Sequence, residues 1–134
     1  MDKNNLKVII PAAGNGTRSG LDYPKTLYKV FGKEILLHIL DLTNHLDKNP
    51  TIIVSSNGFS IIKNFLDLKK RNAELIIQDS PKGMGNALLQ FKKSNYYKET
   101  EHLLLIWGDI PFIKKTTIET VVKSHFENKN EFTL

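Results

Sequence analysis

Leu6-Lys7-Val8-Ile9-Ile10-Pro11-Ala12-Ala13-Gly14-Asn15-Gly16-Thr17-Arg18-Ser19-Gly20 decides the fold, because an apolar run feeds directly into a glycine-rich loop. The run is nearly continuous in apolar character instead of alternating, which is the pattern of a strand covered on both faces. Three more runs of the same kind follow: Thr51-Ile52-Ile53-Val54, Leu75-Ile76-Ile77 and Leu103-Leu104-Leu105-Ile106-Trp107. Between them lie stretches with apolar residues at helical spacing. Glu34–Leu46 carries Ile35, Leu36, Ile39, Leu40 and Leu42; then come Phe59, Ile62, Phe65 and Leu66, and later Met84, Ala87, Leu88 and Phe91. Thr116 or Thr117 can cap a last helix, with Glu119 in the capping-box position after Thr116.

Strand and helix in alternation predict an α/β fold, Rossmann-like, with a mostly parallel sheet between two layers of helices. Right-handed crossovers place the loops after the strands along one edge, where ligands of such sheets bind. No internal repeat or Gly/Ser linker divides the chain, so residues 1–134 read as one unit, continuous from about Leu6. Phe132-Thr133-Leu134 follows a polar turn and reads as the opening of another strand, so the chain is expected to be the front part of a longer fold.

Composition narrows the chemistry. The 134 residues contain no cysteine, which excludes disulfides, thiolate metal sites and cysteine nucleophiles. No apolar run is long enough to span a bilayer, and Met1–Asn5 leads into no secretory segment, so a cytoplasmic protein is the expectation. Lys and Arg outnumber Asp and Glu by 19 to 14, a formal net charge of +5 that favours anionic ligands. The cations are scattered, however, and most fall on polar sides of the expected helices without aromatic residues between them for base stacking. They are read as a solvated surface and not as a nucleic-acid site.

The loop after the first strand is the main chemical signal. Gly14 and Gly16 let the backbone turn sharply and bring N–H groups close to an anion. Ala12 and Ala13 leave room beside the strand end for a flat ring, and Arg18 and Lys25 supply a cation on either arm. A Walker A loop fails here because Leu21-Asp22 follow Gly20 in place of Lys-Ser/Thr. A dinucleotide fingerprint fails because Ser19 stands where glycine is needed and the second strand ends Val54-Ser55-Ser56-Asn57 without a carboxylate.

Two further loops carry polar groups to the same edge. Gln78 closes the third strand, where its amide can both donate to and accept from a base edge, and Gly83 and Gly85 open the next helix. Trp107-Gly108-Asp109-Ile110-Pro111 follows the fourth strand. Gly108 lets another group approach its backbone, and a hard carboxylate oxygen at Asp109 suits Mg²⁺ held together with substrate phosphates. Asp109 stabilising its own turn is the competing reading.

Taken together, Ala12–Arg18, Pro24-Lys25, Gln78, Gly83–Ala87 and Gly108–Pro111 resemble, in order and spacing, the motifs of the sugar nucleotidyltransferase family within the NTP transferase superfamily. The chain is most similar to the N-terminal uridylyltransferase domain of the bifunctional enzyme that makes UDP-N-acetylglucosamine. The resemblance implies that Gly14, Gly16 and Arg18 hold the β- and γ-phosphates, with Thr17 in the same substrate-binding loop. It implies that Lys25 acts at the reacting centre and that Asp109, beside Gly108, ligates Mg²⁺. Ala12, Ala13, Gln78 and Gly83 would frame the base, which Gln78 and Gly83 suggest is uracil.

The reaction so implied is magnesium-dependent transfer of a nucleoside monophosphate from a nucleoside triphosphate to a phosphorylated small-molecule acceptor, with pyrophosphate leaving. The chain departs from the family at Pro11, which replaces Leu, and at Met84-Gly85-Asn86, which replaces Thr-Gly-His. The second metal ligand and most acceptor-binding residues are expected beyond Leu134. A non-catalytic nucleotide-binding module, or a cytidylyltransferase with another acceptor, remains the alternative.

Overall fold

The computed structural model describes residues 5–14, 19–80 and 82–134. Leu6–Ala12 (β1), Thr51–Ser55 (β4), Glu74–Gln78 (β5) and His102–Leu105 (β6) form one sheet in the order β5-β4-β1-β6, and every neighbouring pair in it is parallel. A separate two-stranded ribbon joins Lys29–Val30 (β2) to Lys33–Glu34 (β3). The helices are Ile35–Thr43 (α1), Ser56–Leu68 (α2), Gly83–Leu89 (α3) and Lys115–Glu127 (α4).

Why the strands are apolar throughout is visible in the parity of their side chains. Val8, Ile10, Ile52, Val54 and Ile106 point to one face, where Leu36, Ile39 and Leu40 of α1, Ile62 and Leu66 of α2, and Ile118 and Val122 of α4 cover them. Ile9, Ile53 and Ile76 point to the other face, against Ala87 of α3 and Phe91 just beyond it. The sheet therefore lies between two helical layers, as expected. At roughly 25 cal/mol per Å² of apolar surface removed from water, these two clusters are the main source of stability.

The exception in β1 is Lys7, which is buried and pairs with Asp47 at 3.3 Å while its ammonium stands 3.7 Å over the Tyr96 ring. The same Asp47 accepts a hydrogen bond from the Val8 N–H at 3.0 Å. On the helix surfaces, Lys63–Asp67, Lys115–Glu119 and Lys123–Glu127 form pairs one turn apart. Exposed pairs at this spacing contribute about 0.3–0.5 kcal/mol each.

Several boundaries differ from the sequence reading. α1 starts at Ile35, because Glu34 belongs to β3, and it ends at Thr43, whose carbonyl accepts both Leu46 N–H and Asp47 N–H in a turn. The β2–β3 ribbon was not anticipated; its turn places Phe31 at φ 51° and Gly32 at φ 73°, the positive-φ pair of a tight hairpin. α4 begins at Lys115, so Thr116 lies inside the first turn and its carbonyl accepts the Thr120 hydroxyl at 2.8 Å; the capping box does not form. Phe132–Leu134 is not a strand: the segment folds back on α4, where Thr133 Oγ1 meets His125 Nδ1 at 3.1 Å. Among the described residues, no helix is long and apolar enough to cross a membrane.

Candidate functional site

The strand order fixes where a ligand can enter. From β1 the chain steps outward to β4 and β5, then returns to pair β6 on the opposite side of β1. The connections run in opposite directions from that point, so the loops after β1 and β6 part and leave a crevice at the carboxyl ends of the strands. A cavity of about 400 Å³ occupies it. It is lined by Ala12 at the end of β1 with Ala13 and Gly14 beyond it, by Gln78 at the end of β5 with Gly83 and Met84 beyond it, by Trp107, Gly108 and Asp109 after β6, and by Lys25 and Thr26.

Gly108 is required by the packing that forms this crevice. Its N–H donates to the Pro11 carbonyl at 2.9 Å, continuing the β1–β6 ladder after the Ile106 N–H to Ile9 carbonyl bond at 3.0 Å. A Cβ at Gly108 would stand 2.7 Å from the Pro11 oxygen and 3.0 Å from Ala12 Cβ. The group that approaches Gly108 is thus the end of β1. Gly83 answers a different need: its φ of +83° is a conformation that side chains rarely adopt, and it sets the entry into α3.

Asp109 and Lys25, which are 84 residues apart in sequence and both line the cavity, meet at 3.2 Å. Both side chains are about half exposed, at 45% and 50% of their full area, so each can exchange this partner for a ligand. Asp109 offers one carboxylate that could hold a hard cation, and Lys25 offers one cation for an anion. No group of three or more metal-binding side chains occurs among the described residues.

At the β5 end, Gln78 is only 6% exposed, and its amide nitrogen donates to Asn86 Oδ1 at 2.8 Å and to the Gly83 carbonyl at 3.4 Å. Thr26 lies in the short 3-10 turn Lys25–Leu27 and is 3% exposed. Its hydroxyl is the one sealed-in polar side-chain atom among the described residues with no hydrogen-bond partner.

Of the residues singled out in the sequence, Ala12, Ala13, Gly14, Lys25, Gln78, Gly83, Gly108 and Asp109 all line this one cavity. Gly16, Thr17 and Arg18 lie outside the described residues. Thr26 and Ala87 also line it and were not anticipated as site residues. Ala87 had been read as a helix-stripe residue and as the end of the Gly83–Ala87 motif without a binding role, and nothing in the spacing around Thr26 marks it.

These features define a Rossmann-like α/β protein with its cavity at the topological switch point. The chain belongs to the MobA-like NTP transferase domain family, whose profile matches residues 8–133. It is 33% identical over 132 residues to the bifunctional protein GlmU of Clostridioides difficile, and 34% identical over 124 residues to GlmU of Buchnera aphidicola subsp. Baizongia pistaciae. These alignments cover 97% and 91% of this chain but 27% and 26% of those proteins, so the chain spans about a quarter of the length of the curated relatives it matches.

Two solved structures share the fold. One, from Bacillus anthracis, is described as a glucose-1-phosphate thymidylyltransferase in complex with a sucrose (TM-score 0.73, 20% identity, 89% of this chain and 51% of that one). The other is a UDP-glucose pyrophosphorylase of Acinetobacter baumanii (TM-score 0.69, 17% identity, 92% and 53%).

Proposed function

We propose that this chain binds a nucleoside triphosphate, UTP by preference, together with Mg²⁺, as the nucleotide-binding part of a nucleotidyltransferase acting on a sugar-1-phosphate. The observation that carries the reading is the meeting of Lys25 and Asp109 at 3.2 Å in the lining of a cavity that Gln78 and Gly83 also line. A cavity of about 400 Å³ with few polar groups and mostly small apolar walls suits one nucleotide.

In the proposed reaction an acceptor phosphate oxygen attacks the α-phosphorus, a new P–O bond forms, and the bond to the bridging oxygen breaks as pyrophosphate leaves. The nucleophile arrives with the acceptor, so the protein's task is to hold two anions together. Lys25 supplies a cation in the cavity lining, and Arg18 a second one according to the sequence resemblance. Asp109 fits Mg²⁺ as a single hard ligand, the mode in which that ion shares one or two carboxylates with substrate phosphates. Once bound, the ion would neutralise phosphate charge. Ala12 and Ala13 leave space for the flat base, and Gln78 reads its edge.

The test is pyrophosphate release from UTP, assayed on the protein as its gene encodes it, against a panel of sugar-1-phosphates with and without Mg²⁺. Release that requires both Mg²⁺ and one of the acceptors is expected. Release indifferent to every acceptor, or none with any nucleoside triphosphate, contradicts the reading.

A further inference from the structure

Gln78 could in principle turn either end of its amide toward the cavity, and the two orientations select opposite base edges. Backbone carbonyls decide between them. Gln90 Nε2 lies 3.3 Å from the Asn86 carbonyl, an atom that can only accept, so that end of Gln90 is the nitrogen. The same nitrogen lies 3.2 Å from one side-chain atom of Asn86, which must therefore be the oxygen, Oδ1. That oxygen meets Gln78 at 2.8 Å, so Gln78 faces it with Nε2. The Gly83 carbonyl, 3.4 Å from the same nitrogen, requires the same assignment. A flip of Gln78 or Gln90 would set oxygen against oxygen, and a flip of Asn86 would set N–H against N–H.

With its nitrogen engaged by Asn86 and Gly83, Gln78 has only Oε1 left. That oxygen has no hydrogen-bond partner among the described residues and is not sealed in, since Thr26 Oγ1 is the one such orphan among them. Gln78 is 6% exposed and lines the cavity, so the cavity is the space its free oxygen reaches.

We propose that Asn86 is a positioning residue that holds Gln78 with its carbonyl oxygen turned into the cavity, so that the site selects a base offering a ring N–H there. Uracil and thymine present that donor at N3, flanked by carbonyls; cytosine presents a bare acceptor at the same position. The proposal rests on the nucleotide reading above and adds the residue that sets the base preference. Asn86 touches no reacting atom. It acts through Gln78.

The test is calorimetric titration of the chain and its Asn86→Asp and Asn86→Leu variants with MgUTP and MgCTP. The ratio of the two affinities is the readout, because general damage to the cavity cancels in it. The unsubstituted chain is expected to prefer UTP by about tenfold or more, the cost of one bad polar mismatch. Asn86→Asp keeps an acceptor oxygen toward Gln78 and should keep the ratio. Asn86→Leu removes the 2.8 Å acceptor and leaves only the 3.4 Å Gly83 carbonyl to hold the amide, so the ratio should fall to within about threefold, with CTP gaining and UTP losing. An unchanged ratio in Asn86→Leu would overturn the role given to Asn86. A preference for CTP that Asn86→Leu abolishes would refute the ring N–H selection. If neither nucleotide binds, the nucleotide reading falls and this inference with it.

Discussion

Replacing Gly108 by alanine tests the crevice geometry. The added Cβ would stand 2.7 Å from the Pro11 carbonyl oxygen, about 0.7 Å inside the 3.4 Å at which ordinary contact begins, and that oxygen is a backbone atom. The strand ends can relieve this only by separating, which stretches the 2.9 Å bond from the Gly108 N–H to that same oxygen. Overpacking of this kind costs about 1–3 kcal/mol, and losing a hydrogen bond adds about 0.5–1.5 kcal/mol. A loss of about 2–4 kcal/mol corresponds to a fall in Tm of about 7–14 °C for a chain of this size.

Gly85→Ala is the paired control. Gly85 lies in α3 with nothing within 4 Å of a Cβ built on it, so alanine there should raise Tm by a few degrees, from a gain of up to about 1 kcal/mol. Thermal unfolding followed by circular dichroism measures both. If Gly108→Ala melts within about 2 °C of the parent, the β1–β6 contact does not constrain the crevice as described.

Three further outcomes follow from buried or paired groups. Thr26→Val removes the orphaned hydroxyl at nearly constant volume and should raise stability by about 1–3 kcal/mol in a denaturant titration, whereas a decrease would mean the hydroxyl is satisfied. Asp47→Ala leaves Lys7 as an unpaired buried cation and should cost about 3–5 kcal/mol; a loss under about 1 kcal/mol would show that Lys7 reaches water without it. At Asp41, burial opposes ionisation, but hydrogen bonds and charge from Lys33 and Arg71 outweigh it and hold the carboxyl below its ordinary value of 3.8. A depressed folded-state value gives stability that is present above about pH 4 and lost as pH falls through the folded pKa. The acid limb of unfolding should therefore flatten in Asp41→Asn, and an unchanged limb would refute the assignment.

How much of this was legible in the sequence follows from the range of the interactions involved. The main strands and the long helices declare themselves through local apolar periodicity, and the motif residues sit at strand ends, so Ala12, Gln78, Gly108 and Asp109 could be assigned to one edge. The β2–β3 ribbon escaped because its strands are two residues each and its turn uses Phe31, a residue type that rarely takes positive φ. The capping box at Thr116 failed because a cap depends on where the helix starts, which spacing alone does not fix.

Long-range partners were the least readable part of the site. The Lys25–Asp109 contact joins loops 84 residues apart, and the orphaned state of Thr26 is a property of the packing around it. Asn86 looked like a mere departure from the family motif. Its role emerged once α3 placed its side chain between Gln78 and Gln90.

The central claim, that the switch-point cavity holds a nucleoside triphosphate with the help of Mg²⁺ at Asp109, is tested most directly by calorimetric titration with UTP, with and without Mg²⁺, on the parent and on Asp109→Ala. The account predicts single-site binding by the parent that weakens by about tenfold or more when Mg²⁺ is removed, a loss of about 1.4 kcal/mol or more, and binding by Asp109→Ala that no longer responds to the ion. Parent and variant binding UTP equally well, with and without Mg²⁺, would leave Asp109 with no role beyond its ion pair to Lys25 and contradict the claim.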